Sequence, residues 1–224
     1  MNRRQVLQAG MTAGVPLLRG LAPALPLLGL AGCISVGTGS KLPPHAQFRL
    51  TDAGADKVVR LAKPLVGGLV VQALPSDALA DTLSIAYSRQ ANQFAYYQLA
   101  SWTERPVRLV PRLLQNRLDA RGVASAVGQA GDAVRADWLL TVAVDTLHHD
   151  VTAPPGVARL ALSLELFDRR QRRRLDRRQF VAAVPTAVAN SQLMASAASL
   201  AVAQVFDQAI PWVEGLLQQT GNPA

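Results

Sequence analysis

The sequence predicts an α+β fold: a mixed, largely antiparallel sheet with two main helices packed on one face. Residues 157–168 place Ala or Leu at every second position, opposite a face that carries Arg159, Ser163 and Glu165. This alternation is typical of a strand buried on one side. Apolar side chains in 107–118 recur every three or four positions, which predicts an amphipathic helix. The order strands, helix, strands, helix favours helices gathered on one side of a sheet.

The first strands surround a predicted hairpin. Strand-like runs cover 48–51 and 68–73, and two aromatic and apolar runs, 85–88 and 94–102, flank the polar residues 89–92. Two such runs joined by a short polar segment predict a β-hairpin.

The first helix is predicted to begin at Pro106, because Pro is favoured in the first helical turn. Thr103 is a candidate cap for its start. Gly122 marks its end, since Gly is favoured just past a helix C-terminus, and Pro111 is expected to kink it.

The second half of the chain contributes the remaining strands and a long helix. Besides 157–168, strands are predicted over 137–147 and 180–184. An alanine-rich helix begins at Asn190 or Ser191, and Pro211 is expected to kink or divide it.

Composition excludes several classes of protein. Half of the 224 residues are hydrophobic, so the chain is not intrinsically disordered, and its single Cys excludes a disulfide scaffold. The sequence contains neither a nucleophile elbow nor a phosphate-binding loop. The pair His148-His149 would face opposite sides of a strand, which argues against a metal site. We therefore predict no enzymatic activity, no metal and no cofactor.

Residues 1–32 have the features of an export signal. Arg3-Arg4 are followed by a long, weakly apolar stretch with several Gly and Pro, and then by small residues. This order predicts a secretory signal, and the paired arginines leave Sec and twin-arginine export equally open. Residues 33–46 are then a flexible tether, 47–219 a single domain and 220–224 a tail.

The segment Leu30-Ala31-Gly32-Cys33 resembles the lipobox of bacterial lipoproteins. The resemblance implies cleavage before Cys33 and attachment of acyl chains such as palmitate, which together anchor a protein stably. A buried free cysteine is the alternative, but the position of the only Cys directly after the apolar segment favours the lipoprotein. Ile34 stands where such lipoproteins carry Asp when retained in the inner membrane, which implies the periplasmic face of the outer membrane.

A strand with Tyr87 and Arg89, a return strand with Tyr97, and then Trp102 and Glu104 before a helix resemble the ABC-type transport auxiliary lipoproteins, the family of paraquat-inducible protein C. Together with the lipobox and the closing helix, the resemblance covers roughly residues 45–215.

This resemblance implies a non-catalytic periplasmic subunit that works with an ABC permease and ATPase and with an MCE-domain protein. Such systems move phospholipids or related apolar molecules between two membranes, and some relatives form homo-oligomeric rings. A structural lipoprotein of an outer-membrane secretion or lipopolysaccharide-export complex is the alternative. A periplasmic hydrolase is disfavoured, because no nucleophile–base motif is present.

The aromatic residues of this motif have two interpretations. Tyr87, Tyr96 and Trp102 would place aromatic rings on the sheet with polar tips free to bond. Core packing is the usual role of such residues, and contact with a ligand is the alternative. Arg89 is expected near a turn as a solvated or paired charge, and Glu104 is expected to complement the helix dipole.

A run of arginines lies between the last two predicted strands, at the tip and flank of a hairpin. Its dense positive charge suits contact with anionic headgroups or with an acidic partner. The alternative is a solvated turn that blocks edge pairing. The export signal separates this charge from DNA, so we predict no nucleic-acid partner. The arginines are Arg169, Arg170, Arg172, Arg173, Arg174, Arg177 and Arg178.

Overall fold

The computed structural model describes residues 44–221, which form eight strands and two α-helices and confirm the α+β prediction. A short 3-10 turn covers Ala55–Lys57. The helices are α1 (Pro106–Arg121) and α2 (Ser191–Gly221). The strands are β1 (Ala46–Phe48), β2 (Val66–Ala73), β3 (Ser84–Gln90), β4 (Gln93–Trp102), β5 (Ala124–Gln129), β6 (Trp138–Asp150), β7 (Gly156–Asp168) and β8 (Arg173–Thr186).

Strand β6 connects every other part of the sheet. Along one edge it pairs antiparallel with the whole of β7, from Trp138 opposite Asp168 to Asp150 opposite Val157, and β7 in turn pairs antiparallel with β8. Along its other edge, β2 pairs in parallel with the first part of β6 and β3 with its last two residues. Strand β5 flanks β2, β4 flanks β3, and β1 flanks the end of β4.

Both helices cover one face of this sheet and form the core with it. Helix α1 packs on β2, β5 and β6, and α2 packs on β7 and β8. The predicted apolar face of β7 points into this core: its side chains Ala158, Leu160, Leu162, Leu164 and Leu166 are completely buried. Helix α2 is long and apolar enough to cross a membrane, but two thirds of its most apolar window is buried inside the domain, as in a core helix.

The predicted elements differ from the structure mainly at their boundaries. Strand β1 ends at Phe48, where the predicted strand 48–51 begins. Strand β8 extends well beyond the predicted 180–184, because its arginine-bearing half still pairs with β7. Strand β5 was not predicted: its sequence Ala-Ser-Ala-Val-Gly-Gln has weak strand propensity, and pairing with β2 determines its conformation.

The proline and cap predictions were partly wrong. Thr103 does not cap α1: the N-cap is Arg105, with no side-chain cap hydrogen bond, and the backbone N–H of Thr103 instead donates to Phe48. Pro211 does not divide α2, which continues from Ser191 to Gly221. Its ring lies on the exposed side of the helix, where the packing on the sheet is undisturbed. Helix α1 ends as expected, with Gly122 in the left-handed region at φ 71°.

A buried ion cluster joins the segment after β1 to both helices. Arg117 of α1 is 8% exposed and donates to Asp52 at 2.9 Å and to Asp207 of α2. Asp52 also accepts the N–H of Gly54, while its second oxygen has no hydrogen-bond partner. Burial raises the pKa of Asp52, and the hydrogen bond from Gly54 and the charge of Arg117 oppose that rise. Arg117 therefore stabilises the ionised form of the buried Asp52 carboxyl group.

We expect Arg117→Met to destabilise the domain by about 3–5 kcal/mol, because the variant leaves a buried carboxylate without its cation. Arg112→Met is the matched control. Arg112 pairs with Glu104 on the surface, so its loss should cost less than about 1 kcal/mol. Guanidinium unfolding monitored by circular dichroism measures both values. Equal stabilities for the two variants would show that the buried cluster contributes little.

Candidate functional site

Three of the five motif residues meet at one end of the sheet. The rings of Tyr87 on β3 and Tyr97 on β4 lie 4.9 Å apart, since these strands are antiparallel neighbours. The guanidinium of Arg89 lies 5.1 Å from the centre of the Tyr87 ring, within the range of a cation–π interaction. Asn92 forms the hairpin turn with φ 60°. The predicted hairpin therefore positions the three motif side chains together.

His149 completes this cluster and was not predicted as part of it. Its ring is fully buried, with Nδ1 2.8 Å from the hydroxyl of Tyr97 and Nε2 2.7 Å from the hydroxyl of Thr186 at the end of β8. In a neutral imidazole one nitrogen donates and the other accepts, and a hydroxyl can take either role. One side chain thus links β4, β6 and β8.

Two local features bring His149 to this position. The register between β6 and β7 shifts between Val144 and Thr146, which leaves Asp145 as an extra residue and reverses the alternation that follows. The ring of His149 then crosses β7 at Gly156, where a Cβ would lie 2.7 Å from Nε2. Gly156 pairs with Thr186 on β8, a juxtaposition that only the sheet register creates, so no signal in the sequence pointed to this cradle.

His148 points to the opposite face of the sheet, as predicted for adjacent strand residues. Its ring packs edge-on against Phe94, with the ring centres 5.1 Å apart. The two imidazoles therefore share no site. Within residues 44–221, no group of three or more His, Cys, Asp or Glu side chains is arranged to hold a metal ion.

The electrostatics of the cluster favour neutral side chains. Burial lowers the pKa of His149, with Asp150 opposing and His148 adding to the shift. Burial and the neighbouring Tyr87 raise the pKa of Tyr97, and Arg89 opposes that rise. The hydroxyl of Tyr97, the imidazole of His149 and the hydroxyl of Thr186 thus form a chain of neutral groups, and its histidine is closed to solvent. This chain fixes the β3–β4 hairpin to the sheet.

The other two motif residues lie apart from this cluster. Trp102 is buried in the core at the end of β4, which agrees with the core-packing interpretation for this residue. Glu104 lies on the surface before α1 and accepts hydrogen bonds from both terminal nitrogens of Arg112, one of them at 2.9 Å. It stabilises the start of α1 through a side-chain ion pair. Tyr96 is 40% exposed on β4.

The arginine run occupies the turn between β7 and β8 and the first half of β8, as predicted. Arg174 and Arg177 both reach Glu165 on the neighbouring strand, at 3.3 and 3.4 Å. The guanidinium of Arg178 lies 5.3 Å from the centre of the Phe180 ring. Three of the remaining arginines lie in the turn, where residues 169–172 connect the strands, and Arg173 is the first residue of β8.

The lipobox residues and Cys33 lie outside the described residues 44–221. Their roles, and the roles of the motif and turn residues, stay predictions from the sequence.

Comparison with known families identifies the chain. Residues 48–209 match the family model of the ABC-type transport auxiliary lipoprotein component, and this span runs from the end of β1 through most of α2. The chain belongs to this family. The resemblance proposed from the motif is thereby confirmed, and with it an auxiliary role in ABC-type transport. The curated proteins contain no match.

One solved structure shares the fold of this auxiliary lipoprotein, and two others resemble it more distantly. Protein XCC0632 from Xanthomonas campestris is 20% identical, with a TM-score of 0.68 over 78% of this chain and 98% of that one. The PelC dodecamer from Paraburkholderia phytofirmans is 15% identical, with a TM-score of 0.40 over 72% of this chain and 94% of that one. The hypothetical protein CT253 from Chlamydia trachomatis is 10% identical, with a TM-score of 0.43 over 67% and 98% of the two chains.

We expect the stability of the domain to fall as the pH is lowered through the range in which an unfolded histidine takes up a proton, near pH 6.5. The lowered pKa of His149 keeps the native imidazole neutral, so protons bind preferentially to the unfolded chain. His149→Gln should have a shallower dependence and should be about 1–3 kcal/mol less stable at pH 7.5, because two hydroxyls lose their ring partner.

Urea unfolding at pH 7.5 and pH 5 measures both effects. His148→Gln is the control for the stability at pH 7.5, because that ring contacts Phe94 and takes no part in the hydrogen-bonded chain. Burial lowers the pKa of His148 as well, so this variant should also have a shallower pH dependence. An unchanged pH dependence in His149→Gln would contradict the assignment.

Proposed function

We propose that this protein is a periplasmic lipoprotein anchored to the outer membrane and a non-catalytic accessory subunit of an ABC/MCE-type system that moves phospholipid between membranes. The observation that carries the proposal is the family match over residues 48–209. The ABC permease, its ATPase and an MCE-domain protein would be its partners, and ATP hydrolysis would belong to the ATPase.

The lipobox supports the proposed anchor. Acylation of Cys33 would fix the chain to the membrane, and eleven Cα–Cα steps separate Cys33 from Pro44, where the described structure begins. A fully extended chain of that length spans at most about 40 Å. The domain would therefore work close to the membrane that holds its lipid.

The character of the polar cluster supports an accessory role. The imidazole of His149 is fully buried and both of its nitrogens are occupied by hydroxyl groups. A general base must reach the proton that it removes from a substrate. These polar groups thus support the fold, and we assign transport chemistry to the partner subunits.

Self-association is part of the proposal, because the described chain has unpaired strand edges. Strand β8 pairs only with β7 along its whole length, and β1 pairs only with the last three residues of β4. Exposed strand edges are surfaces on which further strands add. We propose that copies of the chain associate through such edges into a ring.

We expect Cys33→Ser to abolish labelling with radioactive palmitate and to leave an unprocessed precursor, because serine lacks the thiol that takes the lipid. Membrane extraction followed by mass spectrometry of the N-terminal peptide measures both effects. The wild-type protein is the reference. An unmodified Cys33 in wild-type protein extracted from membranes would overturn the proposed anchor.

We expect the tagged full-length protein, purified in mild detergent from its own host, to carry the ABC permease, the ATPase and an MCE-domain protein with it. Quantitative mass spectrometry identifies the partners, and the Cys33→Ser variant is the matched control because it should lose its lipid anchor at the outer membrane. Recovery of secretion or lipopolysaccharide-export components in their place would support the alternative role.

A further inference from the structure

The seven arginines of the run divide into two groups in the structure. Arg174 and Arg177 share the carboxylate of Glu165, and Arg178 lies over the ring of Phe180. These three guanidinium groups therefore interact with side chains of β7 and β8. The remaining four lie in the turn between β7 and β8 or at the first residue of β8, and we name them the basic tip: Arg169, Arg170, Arg172 and Arg173.

The basic tip has little negative charge of its own. Arg170 approaches Asp137 only to 3.9 Å, with both side chains more than half exposed. Arg169 donates to the backbone carbonyl of Ala136 at 3.0 Å. Arg172 and Arg173 form no ion pair with any carboxylate of residues 44–221. An exposed ion pair as long as that between Arg170 and Asp137 contributes little to stability. Most of the positive charge of the basic tip is therefore available to a partner.

The buried carboxylate beside the tip, that of Asp168, binds the backbone of the turn. Asp168 is 7% exposed, and its Oδ1 accepts the N–H groups of Arg170 and Gln171 at 2.9 and 3.0 Å. These bonds hold the turn in one conformation. The arginine side chains are thereby displayed from a fixed backbone.

Position 172 carries an arginine where the backbone conformation favours another residue. Arg172 has φ 52°, in the left-handed region that favours Gly or Asn. Asn92 occupies the equivalent region in the β3–β4 turn, as conformational preference predicts. Arginine at position 172 has no such conformational advantage, and its side chain is exposed.

The basic tip lies at the end of the sheet opposite to the one from which the chain enters. Strand β6 starts beside the tip, where Trp138 pairs with Asp168, and runs away from it. Strand β3 runs parallel to β6, β4 returns toward the tip end, and β1 runs parallel to β4. The residues directly before Ala46 therefore come from the end of the sheet distant from the arginines.

We propose that the basic tip docks on an acidic face of a protein subunit of the transport system, an inference that rests on the proposed function. Guanidinium groups pair bidentately with carboxylates, and four of them at one hairpin tip provide a complementary surface. The large apolar side chains exposed in the described chain all lie outside residues 169–178, so the tip has no apolar group to insert into a bilayer.

The test places a photo-crosslinking amino acid at Gln171, within the tip, in the full-length protein in its own host. Ala91, in the exposed turn of the β3–β4 hairpin at the other end of the sheet, is the matched control position. Gln171 should crosslink to the permease or the MCE-domain protein, at a peptide rich in Asp and Glu. The same adduct should be absent from the Ala91 position.

Paired charge variants test the electrostatic origin of this contact. Arg172→Gln with Arg173→Gln should reduce the Gln171 adduct roughly tenfold, which corresponds to the loss of two exposed charge pairs. Arg174→Gln with Arg177→Gln removes the same formal charge from arginines already paired with Glu165 and should change the yield less than about twofold. Added salt should weaken the wild-type adduct as it screens exposed charges.

Arg172→Gly separates docking from folding. Glycine relieves the left-handed conformation, so this variant should be at least as stable as the wild type while giving less adduct. Crosslinks from Gln171 to phospholipid alone, or equal losses in the two double variants, would overturn the docking proposal. If the transport subunits still co-purify in that case, the proposed function stands. If they never co-purify, both proposals fail.

Discussion

The backbone hydrogen bonding of β6 is the constraint on which the rest of the domain depends. One edge of this strand is filled by β7, and the other is divided between β2 and β3. Between those two strands, the N–H groups of Leu74 and Asp77 donate to carbonyls of β6, and Val144 donates its N–H to the hydroxyl of Ser76 at 2.8 Å. The backbone polar groups of a buried strand need such partners. The pair β2 and β5 and the group β3, β4 and β1 therefore depend on β6 for their relative placement.

The extra residue in β6 lies close to where its open edge passes from β2 to β3. It follows Val144, whose N–H is bound by the loop between those strands. After it, the side-chain alternation is reversed, and His149 points toward the helices. A local irregularity of one strand thus determines which imidazole joins the tyrosines. Gly156 on β7 and Thr186 on β8 provide the space and the hydrogen bond that this orientation needs.

Local sequence patterns predicted those elements whose stability comes from a repeated apolar face. The leucines of β7, the stripe of α1 and the alanine-rich start of α2 all have this character. Strand β5 and the arginine-bearing half of β8 do not, because their conformation follows from pairing with another strand.

The same limit applies to the prediction of the candidate site. Tyr87, Arg89 and Tyr97 share a hairpin and could be grouped from the sequence, whereas His149 and Thr186 join them only through the sheet. In the arginine run, the cross-strand position of Glu165 distinguishes Arg174 and Arg177 from the arginines whose charge is available.

Helix α2 has a consequence for the biogenesis of this exported protein. Its 30 residues Ser191–Thr220 have a mean hydropathy of 1.3 in their most apolar window, which satisfies the length and apolarity of a bilayer-crossing helix. Folding covers that surface with β7 and β8. A translocation machine that threads unfolded chain would present this segment uncovered to its lateral exit into lipid. A machine that moves folded protein would meet it already buried. The burial of one helix thus links the order of folding and export to whether the C-terminal part of the domain crosses the membrane or is left within it.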